Sequence, residues 1–184
     1  SVLPVLPSWL LAFSNITSPT NERSFVAYPL PKVAVGHSTP LVLTARTADL
    51  LGVFCSFVLD YALRQKLGGL NLTYNYVQQL PVPTPDVWES HRSWLDQPFN
   101  RWTRPRLLEL GYTSHDIYAF AQDLGDDGPP FKWDPERRAL LRAELDAAFF
   151  HLYGVQRDDV DYILDTFPIV RRKDEARFGE FRTK

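Results

Sequence analysis

The segment TADLLGVFCSFVLDYALRQKL, residues 47–67, constrains the fold more than any other part of the chain. At helical spacing, Leu50, Leu51, Val53, Phe54, Phe57, Val58, Tyr61 and Ala62 cover most of its circumference. A helix of this kind must be packed on several sides rather than laid on a surface. Thr47 stands where an N-cap is expected, Asp49 lies in the first turn where the helix dipole favours an anion, and Gly68-Gly69 ends the run. The most apolar stretch, Leu50 to Leu59, is bounded by Asp49 and Asp60 and is too short to span a bilayer, so no membrane association is expected.

The rest of the chain must supply the walls around that helix. SFVAYPL (24–30) and PLVLTA (40–45) have the β-branched and aromatic content of strands, and PKVAVGHST with its Gly36 turn separates them. LTYNYVQQL (72–80) reads as a strand or a strand-like loop. Prolines 81, 83 and 85 then force an extended linker. Beyond it the pattern turns helical and polar-faced. TRPRLLELG is one short helix, and YTSHDIYAFAQDLG is another, with Thr113 three residues before Asp116 as a variant capping box. DPERRALLRAELDAAFFHLYG starts with Asp134 as N-cap and Pro135 at the first helical position and ends at Gly154. RDDVDYILDTF is a further helix, stopped before Pro168, and the mixed charges of RRKDEARF suit a solvated helix. The expected architecture is α+β: a mixed domain over 1–85 containing the buried helix, then a mainly helical region over 86–184.

With 45% hydrophobic and 23% charged residues the chain is globular in composition rather than disordered. Its net charge of −2 argues against a dedicated polycationic nucleic-acid binder. The charge is unevenly spread. Residues 1–85 carry five basic groups (Arg23, Lys32, Arg46, Arg64, Lys66) against three acids (Glu22, Asp49, Asp60), so the first half is +2 and the remainder −4. The single cysteine, Cys55, excludes an internal disulfide framework and favours a reducing, cytoplasmic compartment, with a secreted protein lacking disulfides as the alternative. The sequons at Asn15 and Asn71 are three-residue matches of a kind that arises by chance. The opening SVLPVLPSWLLAF lacks a basic start, and its prolines at 4 and 7 spoil a signal-peptide reading. With no methionine at all, the chain is expected to be a piece of a longer protein.

Catalytic chemistry is hard to place. Asp127-Gly128-Pro129-Pro130-Phe131 superficially resembles the tetrad with which amino-methyltransferases hold a flipped base, but Gly128 has no side chain at the critical polar position. No glycine-rich loop after a strand is present to hold S-adenosylmethionine. Histidines 37, 91, 115 and 151 are dispersed without metal-ligand spacing, and His151 reads as a hydrogen-bonded core histidine on an apolar helix face. No Ser/His/Asp set or nuclease signature stands out. Trp88, Trp94, Trp102 and Trp133, with Phe99 and Phe131, read as inter-helix packing; only an exposed, basic-flanked cluster would make them a base-stacking platform. By itself the chain reads as non-enzymatic, with no cofactor of its own.

RQKLGGLNLTYNYVQQLPVPTP is similar to the end of target-recognition domains in type IIG-like restriction–modification enzymes and, more loosely, to type I specificity subunits. NERSFVAYPLPKVAVGHSTPLVL upstream and RAELDAAFFHLYG and RDDVDYILDTFPIVRRKDEARFGEFRTK downstream resemble N6-adenine-specific DNA methyltransferases of this class, so the likeness covers most of the chain except 86–130. It implies a bacterial phage-defence function: recognition of double-stranded DNA on behalf of a catalytic methyltransferase domain of the same chain, which would use S-adenosylmethionine. A fusion to nuclease or helicase functions is left open.

On that resemblance the candidate DNA-binding residues are Arg23, Lys32, Arg64, Lys66, Gly68, Gly69, Asn71 and Asn75. Arg64 and Lys66 would neutralise phosphates, and Gly68 and Gly69 would permit backbone geometry or close approach closed to other residues. Asn71, Asn75, Gln78 and Gln79 are amides able to pair bidentately with adenine, while Tyr74 and Tyr76 either stack or pack. Asn21, Glu22 and Arg23 form a polar loop before a strand, from which Arg23 would reach a guanine edge or a phosphate. The alternative for both segments is structural: a glycine turn feeding a strand, and a surface hairpin loop. For the chain as a whole the rival reading is a module that docks the catalytic domain and touches no bases.

Overall fold

The apolar run at 47–67 forms two helices instead of one. In the computed structural model, which describes residues 8–18 and 20–184, α1 spans Thr47–Phe54 and α2 spans Phe57–Arg64. Ser56 makes the break: its hydroxyl donates to the Val53 carbonyl (2.7 Å) and accepts from the Leu59 N–H (3.4 Å), so it closes one helix and caps the next. Thr47 is not the N-cap expected of it. Arg46 occupies that position, and the Thr47 hydroxyl donates backwards to the Thr44 carbonyl (2.8 Å). The segment's burial is as its apolar circumference demands, with Leu51, Val53, Phe54, Phe57, Leu59 and Leu63 all in the core.

A small antiparallel sheet forms one wall. Its strands are β1 (Trp9–Phe13), β2 (Ala27–Pro31) and β3 (Leu41–Val42), in the order β2-β1-β3. The central strand, WLLAF, is buried on both faces and carries no polar–apolar alternation, which is why no strand is legible there from sequence. Prolines 4 and 7, which bear on the signal-peptide reading, lie outside the described residues. LTYNYVQQL is not a strand. It contains the short helix α3 (Tyr74–Val77), and the β-bridge made here, to Ile16, belongs to Asn71 just before it. Leu72 and Leu80 are buried with Tyr76 half-buried between them, a spacing of four that wins over the apparent alternation of the aromatic residues.

The regular structure of the second half is helical, apart from a bridge between His91 and Pro98: α4 (Pro85–Glu89), α5 (Phe99–Gly111), α6 (Tyr118–Asp123), α7 (Pro135–Leu152), α8 (Arg157–Asp165) and α9 (Pro168–Phe178). Asp134 caps α7 as expected, accepting from the N–H groups of Glu136 and Arg137 at 3.0 Å. Thr113 does not cap the helix that follows it. Ser114 takes that role, accepting from Asp116 N–H at the head of a short 3-10 turn that leads into α6. Pro168 begins α9 instead of merely ending α8, its missing N–H costing nothing at a first helical position.

The two regions, 1–85 and 86–184, share one continuous hydrophobic core. At its centre Phe149 of α7 packs against Trp88 and Phe99, and Gly52 of α1 lets that ring approach, since a Cβ there would stand 3.2 Å from Phe149 and 3.3 Å from Leu107. Polar ties cross the same boundary. Trp9 donates its indole N–H to Asp123 (3.0 Å), and Asp146 of α7 accepts from the Phe57 backbone N–H (2.7 Å) and from Arg23.

Candidate nucleic-acid interface

The eight candidate residues fall into three groups. Arg23 and Arg64 are built into the interior. The Arg23 guanidinium grips Asp146 through both nitrogens (2.7 and 3.4 Å), donates to the Cys55 carbonyl (3.2 Å) and lies 3.2 Å over the Phe57 ring. Arg64 donates to the carbonyls of Thr166 and Glu22, lies over Phe167 (4.1 Å) and faces Asp60 (3.8 Å). Burial lowers its pKa, and Asp60 acts against that shift. Both arginines hold the 22–25 segment onto α2, α7 and the α8–α9 junction, helped by the buried Asp60, which accepts from the backbone N–H groups of Ser24 and Phe25 (2.8–3.2 Å). Burial raises the Asp60 carboxyl pKa, while Arg64 and those N–H groups pull it down. The neighbouring Glu22 pairs with Lys173 (2.7 Å), so only Asn21 of that loop stands fully exposed.

Lys66, Gly68, Gly69, Asn71 and Asn75 form the second group, and all are exposed. Leu63, Leu72 and Leu80, all buried, pin their segment to the core at intervals, so the polar positions between them project outward. Among the described residues no hydrogen bond engages the side chains of Lys66, Asn71 or Asn75. The glycines do not serve the purpose expected of them within the fold. The left-handed glycines are Gly125, Gly154 and Gly179, and a Cβ at Gly68 or Gly69 would meet nothing within 4 Å. Gly69→Val is therefore expected to change stability by no more than about 0.5 kcal/mol in urea unfolding, as for other exposed positions. A larger loss would mean the turn carries strain.

Lys32 stands apart. It follows Pro31, which pairs with Trp9, whereas Asn71 bridges Ile16, so the two lie at opposite ends of the extended segment 9–16.

Beside the second group runs a groove of about 440 Å³ lined by Asn15, Gly36, His37, Leu41, Leu72 and Tyr74, among others. Tyr74 organises it. Its hydroxyl both accepts from the Leu41 N–H and donates to the Leu41 carbonyl (3.0 Å each), which satisfies the outward edge of β3, and its ring stands edge-on to Phe13. Ile16, Leu70 and Tyr74 leave apolar surface exposed around it. No sequence pattern shows this groove, because the 35–41 crossover and the 71–74 segment come together only in the fold: the Tyr74 hydroxyl bonds Leu41, and Asn15 joins both, donating to the Ser38 carbonyl and accepting from the Leu72 N–H.

His151 is exposed and stacks on Trp94 with ring centroids 5.3 Å apart, so it is not the core histidine expected. Cys55 is exposed. Among the described residues no group of three or more His, Cys, Asp or Glu side chains is arranged to hold a metal ion, and no helix is long and apolar enough to cross a membrane. Comparison with protein-family models, with curated proteins and with solved structures returns no match to this chain.

Proposed function

We propose that this chain contributes DNA-target recognition to a restriction–modification N6-adenine methyltransferase, with the 66–79 segment and the adjoining groove as its DNA-facing edge. The observation that carries the reading is the presentation of Lys66, Asn71 and Asn75. The fold pins their segment at three buried leucines yet leaves these three side chains exposed and unoccupied by other side chains. Such a segment is rigid enough to keep register on a duplex, and its amides are free to read base edges. The catalytic domain, S-adenosylmethionine and any nuclease belong to the rest of the parent protein in this reading.

With Arg23 and Arg64 held inside, and Arg46 paired with Glu89, Lys66 and Lys32 are the cations that residues 1–85 can offer to phosphates. Duplex binding by the chain is accordingly expected to be weak, with a log–log salt slope of about −2. Lys66→Ala should weaken binding to all sequences alike and reduce the slope by about 1. Asn71→Ala or Asn75→Ala should instead relax discrimination at one base pair by about 1–3 kcal/mol. Fluorescence anisotropy across salt, with a set of duplexes, distinguishes these outcomes. A slope near zero, unmoved by Lys66→Ala, would favour the rival docking module, for which Ile16, Leu70 and Tyr74 supply exposed apolar surface.

A further inference from the structure

Trp133 is 67% exposed, the most exposed large apolar side chain among the described residues. Its indole is nevertheless held in place. The Arg138 guanidinium lies 3.7 Å from the ring centroid and is itself fastened by a hydrogen bond to the Leu110 carbonyl (2.9 Å). Lys132 precedes the tryptophan, and Arg142 stands one turn beyond Arg138, about 6 Å along α7. Both are exposed, and neither has an acidic partner among the described residues.

Four acids of this region are engaged. Asp134 caps α7, Glu136 holds Arg177 and Arg182 (2.9 and 3.0 Å), Glu144 holds Arg106 (2.6 Å), and Glu109 holds Arg137 (2.8 Å). Arg138 thus lies on the Trp133 ring, with Lys132 as the tryptophan's chain neighbour and Arg142 one turn further along α7. Arg138 has its pKa lowered by burial and by the like charge of Arg142, and Glu109 offsets this only in part. An anion near the two arginines would relieve that repulsion.

We propose that this cluster is a binding site for single-stranded nucleic acid, with an unpaired base stacked on Trp133 and backbone phosphates held by Arg142 and Lys132. The arrangement is an exposed aromatic ring with one arginine on it and two further exposed cations beside it in the chain and one helical turn away. Arg138 keeps the indole ordered before anything binds, so little side-chain entropy is lost on stacking. A single strand fits better than a duplex because bases within a duplex already have both faces covered by their neighbours. The site is independent of the 66–79 segment and stands or falls apart from it.

The test is titration of the whole chain with a twelve-residue oligothymidylate, followed by tryptophan emission and by anisotropy of a labelled strand. Binding should quench the emission. Trp133→Ala should abolish that quenching and weaken affinity about 5- to 100-fold, whereas Trp133→Phe should retain most of the affinity. Arg142→Gln should flatten the salt slope by about 0.7. Trp94→Ala, which removes a tryptophan packed on Phe99 and His151, should leave affinity unchanged. Equal affinity for an abasic strand of the same length, tighter binding of the matching duplex, or undiminished affinity in Trp133→Ala would each overturn the proposal. Because Trp133 and Arg142 are exposed, these variants are expected to fold, which circular dichroism verifies.

Discussion

Asp60→Ala is expected to cost roughly 3–5 kcal/mol of folding free energy, the range for removing one partner of a buried ion pair. The carboxylate is 1% exposed and holds three things at once: the backbone N–H groups of Ser24 and Phe25, and the charge of Arg64. Without it two buried N–H donors lose their acceptor and a half-buried guanidinium loses its counter-ion. A domain of this size is stable by only about 5–15 kcal/mol, so the variant should unfold at markedly lower urea concentration with an unchanged m-value. Asp60→Asn should cost less, because one carbonyl oxygen remains to accept from Ser24 or Phe25. A loss below about 1 kcal/mol for the alanine variant would show that solvent replaces the carboxylate and that the cluster is not the anchor of the 22–25 segment.

Phe149→Ala should be as damaging for a different reason. The ring, on α7, is fully buried against α1, α4 and α5, in contact with Trp88 and Phe99 and close against Gly52. Truncation removes its transfer free energy and leaves a cavity whose walls come from three separate helices and cannot easily close, for about 3–5 kcal/mol. Because its neighbours belong to both halves of the chain, thermal unfolding should remain a single transition at lower temperature. Two separated transitions would show that residues 1–85 and 86–184 unfold independently despite their shared core.

Some local signals in the sequence carried through to the fold, although the caps expected at Thr47 and Thr113 did not. Asp134-Pro135 specifies the start of α7 because a carboxylate cap and a fixed φ act within one turn. The apolar circumference of 47–62 correctly places that segment in the core, and the α+β class follows from the change of pattern after the proline run. Signals failed where two readings compete within a few residues. Ser56 breaks a run whose hydrophobicity is continuous, since a hydroxyl bonding locally outweighs uninterrupted apolar spacing. Residues 72–80 show apolar side chains at both period-two and period-four positions, and only packing of Leu72 and Leu80 against the core selects the helical turn.

The candidate site divides along the same line. The resemblance nominates Arg23, Lys32, Arg64 and Lys66 all as DNA-facing cations, because it carries no information about where a side chain points. The tertiary structure separates them. Asp146 from α7 and Asp60 from α2 draw Arg23 and Arg64 inward, and Lys66 is left at the surface. Likewise, Trp133 looks like a packing residue in a row of aromatics, yet the fold leaves it outside and fixes Arg138 upon it. Charge type and the need for burial are properties of neighbouring residues, so the sequence determines them. Which charges are neutralised and which rings stay exposed depends on partners as far as 151 positions away, as with Glu22 and Lys173, and only the folded chain decides it.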